Sequence, residues 1–498
     1  MPACLAREGV QGSFEGSGGT SFRCFIFSLK RSGTMDPQPK TLIRLILAAA
    51  LALSVRAACA GTFYVDARKG DDTNAGSLGA PWKTIQKAAD SMQPGDIVLV
   101  AGGSYPERIH VTRSGAAGRP ITYQAHSEVV MQGFTITADY VRVVGFEITS
   151  QIRLYGESYG IYVRGQHDEI LNNYIHDIYH DGIMLSGQGN PDSPLTSYNV
   201  VKGNRIYRAS SSGITVEGRQ NLIEGNDISH TIQYPPGGPV FDGADADGLR
   251  PFGTGHILRN NRVHDIRGSD LGNLDPHIDC IETWGPASDI LFEQNVCDID
   301  DGNFVVVQGA QIEDSSGPVS RVTFRNNIFM NVRMGIHVEE IGSTGISFVR
   351  VVNNTFYKIT HHGVLLEGHP QAVVENNAFY DVGSHQDSYI GLSSGSVVSN
   401  RAGYLSLSSK EGLVVGYNAQ GMSDGRAPGK RGSQAPYPHD LWMVDPRFVN
   451  AAAKDFRLLP NSPLVDVGVA LKDVATDFIG VARPQGNGYD IGAYEFKP

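Results

Sequence analysis

One short signal recurs through most of this chain and limits what it can become. An Asn pair, or an equivalent ending in Asn, opens unit after unit: Asn172-Asn173, Gly203-Asn204, Gly225-Asn226, Asn260-Asn261, Gln294-Asn295, Asn326-Asn327, Asn353-Asn354 and Asn376-Asn377. An apolar residue follows each: Ile175, Ile206, Ile228, Val263, Cys297, Ile328, Phe356 and Phe379. Later in the unit comes a short alternating strand, usually led by Gly: GIML (182–185), GITV (213–216), GLRP (248–251), CIET (280–283), GIHV (335–338) and GVLL (363–366). The period is roughly 22 to 35 residues, the range of stacked repeat architectures. Alternation has period two, strands are short and turns carry Gly and Asn, so the units are β rather than helical. Asn side chains at one stacked position hydrogen-bond along the stack, and Gly and Asn tolerate the left-handed backbone that tight corners need. The expected fold is all-β, a right-handed parallel β-helix.

The N-terminal stretch FYVDARKGDDTNAGSLGAPWKTIQKAADSMQPGDIVLVAGGSY (63–105) contains a strand, one helical segment near Thr84–Ser91 and a second strand. Such an element covers the open edge of a solenoid as a short helical cap. With GRPITYQAH (118–126), it resembles the start of right-handed β-helix proteins of the pectate-lyase superfamily. The resemblance implies the fold. For activity it is less specific, because lyases, hydrolases, epimerases and non-enzymes share that fold. Residues 417–440 are polar and rich in Gly and Pro and read as a loop. The tail 441–498 resembles segments that close bacterial β-helices. The β-helix itself is expected over 61–416.

The first 60 residues read as a leader. Lys40 and Arg44 flank the apolar run LILAAALALSV (45–55), and Ala58-Cys59-Ala60 offers a small-x-small cleavage site, the pattern of a secretory signal. The run is too short to span a bilayer. A secreted monomer is expected. Three of five cysteines fall in this leader; Cys280 and Cys297 remain, either a disulfide or two buried thiols. The formal net charge of -11 argues against nucleic-acid binding, which needs clustered Lys and Arg.

Aligning the strands on the Gly exposes the candidate chemistry. Asp181, Ser212, Asp247, Asp279 and Asp301 stand just before it, and Thr215, Arg250, Glu282 and His337 two places after it. Between them lie apolar residues, so the polar set faces outward. Asp247, Asp279 and Asp301 should form one row and Arg250, Glu282 and His337 another, with coils about 4.8 Å apart. Asp245 and His277 lie in the insertions that precede these strands. Packed carboxylates repel, and oxygen-only ligands suit Ca²⁺, so Asp245, Asp247, Asp279 and Asp301 are candidate metal ligands. Arg250, His277, Asp279 and Glu282 are the candidate catalytic residues, and Trp284, His337 and Glu339 candidate sugar contacts. Single acidic residues beside Gly are also ordinary turn formers, as Asp242 illustrates, and His176 and His264 read as structural repeat positions.

The resemblance implies a linear, acidic polysaccharide as substrate and β-elimination as reaction: a base takes the C5 proton of a uronate while a cation or Arg neutralises its carboxylate. Arg250 or His277 would be base or clamp, His being the easier to bring to a working pKa. Related calcium-dependent lyases use a Lys base; Lys202 and Lys358 lie away from the row. Asp275-Pro276-His277 matches an Asp-Pro-His of alginate C5-epimerases, whose Tyr three residues earlier is Gly272 here. Glycoside hydrolysis by paired carboxylates, or glycan binding without catalysis, are the alternatives.

Overall fold

The computed structural model describes residues 60–150, 152–154, 157–231, 246–266, 278–299, 307–368, 371–383, 390–393, 412–425 and 437–498. They form a right-handed parallel β-helix. One wall is a 13-stranded sheet running from Thr62–Val65 to Val414–Gly416, and a 17-stranded sheet forms much of the rest. A six-stranded sheet, Ile278–Asp279 through Ile390–Ser393, continues the face that carries the candidate site. Pairing is parallel between coils, as at Ile214↔Leu249 and Gln311↔His337. At the N-terminus, helix α1 (Ile85–Ser91) is capped by Thr84, whose hydroxyl accepts from Lys87 N–H, and buries Ile85, Ala88 and Ala89 against the first coils.

The Asn pairs divide their work. The first member turns the corner in a left-handed conformation, with φ of 54° at Asn172, 67° at Gly203 and 57° at Gln294. The second is a buried rung. From Asn173 through Asn204, Asn226, Asn261, Asn295, Asn327, Asn354 and Asn377 to Asn418, each backbone N–H and each side-chain amide donates to the next Oδ1 at 2.9–3.1 Å. Asn418 donates in turn to Asp440. The coil therefore runs past residue 416, with the strand Ala419–Gly421 in the 17-stranded sheet. A parallel, shorter ladder runs Asp168, Asn199, Asn221, His256 at the next corner, where Asn221 N–H donates to His256 Nδ1.

The apolar residue after each rung points into the core and stacks: Ile175, Ile206, Ile228, Val263, Cys297, Phe329, Phe356, Phe379. Here the expected Ile328 is replaced by Phe329, because the rung is Asn327 and the inward position is two further on. Most members face the strand-leading Gly across the coil. A Cβ on Gly213 would lie 2.4 Å from Ile228 Cγ2, and one on Gly248 2.4 Å from Val263 Cγ1. Those positions admit no side chain while a branched residue sits opposite. Where Gly gives way to Cys280, the opposite residue is Cys297, and the two are joined in a disulfide with Cα atoms 5.9 Å apart.

The segment 441–498 crosses the outside of several coils. Its backbone carbonyls accept from the corner side chains Gln294, Asn326, Asn353 and Asn376 at 2.8–2.9 Å. Arg483, fully buried, pairs with Glu495 at 2.7 Å and anchors this segment against Asn326.

Candidate active site

Two rows of side chains stand on the face where the 17-stranded and six-stranded sheets meet, linked by the bridge Leu249↔Ile281. The first row is Asp181, Ser212, Asp247, Asp279 and Gln308, set by the contacts of Gly182, Gly213, Gly248 and Cys280 with the coil above. The second is Tyr162, Met184, Thr215, Arg250, Glu282, Gln311 and His337. The two polar positions lie three residues apart because the strand-leading residue and its successor both face the core.

This geometry revises two expectations. The residue stacked on Asp279 is Gln308, not Asp301, because the next coil aligns on Gly309 rather than Gly302. His337 shares a row with Glu282, but Gln311 stands between them. Asp245, His277 and Asp301, with Asp242, Gly272 and Asp275, lie outside the described residues. His176 and His264 sit elsewhere on the coil, each bridging carboxylates of its own and a neighbouring coil: Asp177 and Glu147 for one, Asp265 and Asp227 for the other.

The centre of the rows is a buried ionic cluster. Asp247 and Asp279 are fully buried, and Glu282 is 3% exposed. One oxygen from each lies within 4.8 Å of the others. Arg250 Nε and Nη2 both donate to Asp247 Oδ2, at 2.9 and 2.7 Å. The guanidinium lies 5.2 Å from the Trp284 ring centre, and Phe252 packs edge-on against that ring. Trp284 is thus half-buried, with Arg250 and Phe252 against its ring. Asp247 Oδ1 accepts from Asp279 N–H at 3.2 Å, and Asp279 Oδ1 from Gln308 N–H at 3.1 Å, so backbone from the succeeding coil fixes each carboxylate.

Charge is unevenly shared. Burial opposes ionisation of Arg250, but Asp247, Asp181 and Glu282 outweigh it and raise its pKa, holding the guanidinium positive. A guanidinium held in this way is a fixed positive charge beside the carboxylates. Burial, then the charges of Asp247 and Asp279, push the Glu282 carboxyl far above the usual range, and it hydrogen-bonds Asp247. Glu282 Oε2 is buried with no hydrogen-bond partner among the described residues. Further along the first row, Asp181 is 2% exposed and receives Ser212 N–H and the Thr215 hydroxyl. Burial works against its charge, but the charge and hydrogen bond of His180, the charge of Arg250 and the Ser212 N–H hold its pKa below the ordinary carboxylate value.

The donor set fits a calcium ion. It is all oxygen, it comes from adjacent coils, and it includes a buried oxygen without a partner. Gln308 and Gln311 continue the two rows, Glu313 and Glu367 stand two residues beyond the second row on their strands, and none of the four is singled out by the sequence. Gln308 and Gln311 repeat the three-residue spacing of Asp247 and Arg250, and of Asp279 and Glu282, which is the signal that marks them.

Comparison with known proteins agrees with this architecture. Residues 63–214 match the family model described as Pel9A-like, right handed beta helix region. An uncharacterized protein, YwoF, of Bacillus subtilis (strain 168) is 25% identical over 146 residues, 29% of this chain and 29% of its own length. The match therefore spans well under half of that relative. Among solved structures, XylC in complex with xylose aligns with a TM-score of 0.53 at 13% identity, covering 88% of this chain and 98% of its own. Pectate lyase Pel9A aligns with a TM-score of 0.47 at 21% identity, covering 88% and 96%. Residues 63–214 are thus similar to that family, and the same coil continues beyond them.

Proposed function

We propose that the protein is an exported, monomeric enzyme that acts on a linear acidic polysaccharide, cleaving uronate chains by β-elimination. The observation that carries this is the buried cluster of Asp247, Asp279 and Glu282, with carboxylate oxygens within 4.8 Å of one another beside the positive Arg250. The Pel9A-like character of residues 63–214 supports it. Asp247, Asp279 and Glu282 would hold Ca²⁺, with Asp245 and Asp301 as further candidate ligands. A bound Ca²⁺ supplies positive charge that neutralises a sugar carboxylate and so acidifies the neighbouring C–H. Arg250, kept charged and oriented by Asp247, contributes a second fixed positive charge at the same place. Trp284 lines the track along which the sugar chain lies, and His337, 6% exposed, and Glu339 stand further along the same face. His277, two residues before Asp279, is the proton acceptor in this scheme.

A second reading, glycoside hydrolysis, is favoured by one observation: Glu282 stands with its carboxylate oxygen within 4.8 Å of those of Asp247 and Asp279, where burial and their charges push its carboxyl above the usual range. A protonated acid next to an ionised carboxylate is the pair such hydrolysis requires.

The two readings part in one experiment. The protein is incubated with pectate, alginate and neutral glycans, with and without chelator, reading both ultraviolet absorbance of unsaturated ends and new reducing ends. The lyase reading expects absorbance that chelator removes. Reducing ends alone, insensitive to chelator, would replace it with hydrolysis, and silence on a broad panel would refute both. Asp279→Asn is expected to lower turnover by about 10²-fold or more, in the range a positioned charge contributes.

A further inference from the structure

We infer that His337, Glu339 and Glu367 form a second, separate cation site, one that takes a divalent transition-metal ion such as Zn²⁺. It lies on the same face, two coils beyond Glu282, or about 10 Å along the stack.

The ligand atoms of these three residues lie within 4.8 Å of one another. His337 Nε2 is 3.0 Å from Glu367 Oε2, a separation that neighbouring ligands of one small ion adopt. Its Nδ1 faces Gln308 Oε1 at 3.1 Å, a carbonyl oxygen that only accepts, so Nδ1 donates there. Nε2 is then the nitrogen directed at the glutamates. A ligating imidazole that donates its far N–H to a carbonyl is the usual outer support of a metal site. The carboxylates have the same support: Gln311 Nε2 donates to Glu313 Oε1 at 2.8 Å and Glu339 Oε2 at 3.1 Å.

Two further observations point to a missing positive charge. Glu313 and Glu339 are stacked partners on adjacent coils, and the following coil brings Glu367 beside them. Like charges in register repel. Gln311, 2% exposed with its amide inside this cluster, has an Oε1 without a hydrogen-bond partner among the described residues. A cation bound by Glu339 and Glu367 offsets the repulsion. The imidazole distinguishes this site from the all-oxygen cluster around Glu282. Calcium takes oxygen, whereas Zn²⁺ and its neighbours accept nitrogen and carboxylate together.

The test measures binding and does not depend on the proposed reaction. Untagged protein carrying Asp279→Asn, which weakens the first cluster, is stripped with chelator and titrated with Zn²⁺ by calorimetry. One tight equivalent per chain is expected, together with a rise in thermal midpoint. His337→Gln and Glu367→Gln should each lose that equivalent, and Gln308→Ala should weaken it by about 10–100-fold, as loss of an outer partner does. X-ray absorption on zinc-loaded wild type needs no variant, and should show an oxygen-dominated shell containing imidazole nitrogen. The inference is overturned if no zinc binds, if His337→Gln binds it with unchanged affinity, or if the absorption spectrum shows no imidazole. In the first case His337 is simply a hydrogen-bond partner of Glu367.

Discussion

Glu282 is the residue on which the chemistry of the central cluster turns. Its folded-state pKa is raised above the ordinary 4.5 by burial and by Asp247 and Asp279. A carboxyl raised in this way stabilises the fold fully below its unfolded pKa and loses that contribution as pH climbs toward the folded value. Protein held in chelator should therefore lose thermal stability as pH rises from about 4.5 through neutrality. Glu282→Gln, neutral at every pH, should flatten that slope, and Ca²⁺ should flatten it in the wild type by replacing the proton. A slope that Glu282→Gln leaves intact would place the titration elsewhere. Much of this cluster was legible in the sequence. Asp247, Arg250, Asp279 and Glu282 were found because each pair keeps a three-residue spacing around a recognisable strand start. Asp301 was misplaced for the converse reason: Gly302 imitates the strand-leading Gly, while Gly309 performs that role. A lone Gly carries no register, and only the pairing of Gln308 with Asp279 settles it.

At the scale of the element, each coil solves one packing problem: how close the strand-leading residue comes to the core residue opposite. In most coils Gly faces Ile, Val or Phe. In the coil of Asp279 and Glu282, Cys280 and Cys297 bond across the gap, tying the strand that bears the carboxylates to the opposite wall of its own coil. The bond closes a loop with a sequence separation of 17 residues, for which chain entropy alone gives about 3 kcal/mol. Replacing both cysteines with Ala should cost a comparable amount, read as a fall in denaturation midpoint, and should lower activity more than stability. Replacing them with Gly and Val, the pair found one coil earlier, should recover part of the loss. Equal stability for the Ala pair and the wild type would show that the bond carries no load. The sequence left disulfide and free thiols equally open, because spacing along the chain does not reveal that the two positions face each other.

For the molecule as a whole, periodicity made the fold legible before any coordinate, since nothing but a stacked coil uses an Asn at every turn. The course of the tail was not legible, because its contacts are to the corner side chains Gln294, Asn326, Asn353 and Asn376, residues whose repeat role is already explained by backbone conformation. Ending the chain after Ser462 would strip these corners and remove the buried Leu464, Val474 and Ile491. At about 2 kcal/mol for each side chain, the loss is about 6 kcal/mol, visible as a lowered melting temperature. An unchanged melting temperature would make the strap an ornament. The Asn ladder, finally, has a direction. Every rung gives its backbone N–H and one amide hydrogen to the Oδ1 of the coil that follows, while its second amide hydrogen goes to a backbone carbonyl of the coil before and its own Oδ1 receives from that coil, and the stack ends on Asp440, which accepts from Asn418. A coil is consequently unfinished until its successor arrives. A chain emerging N-terminus first would close each turn with the next one made, so that synthesis order and assembly order coincide, and the last turn needs a carboxylate to stop the series.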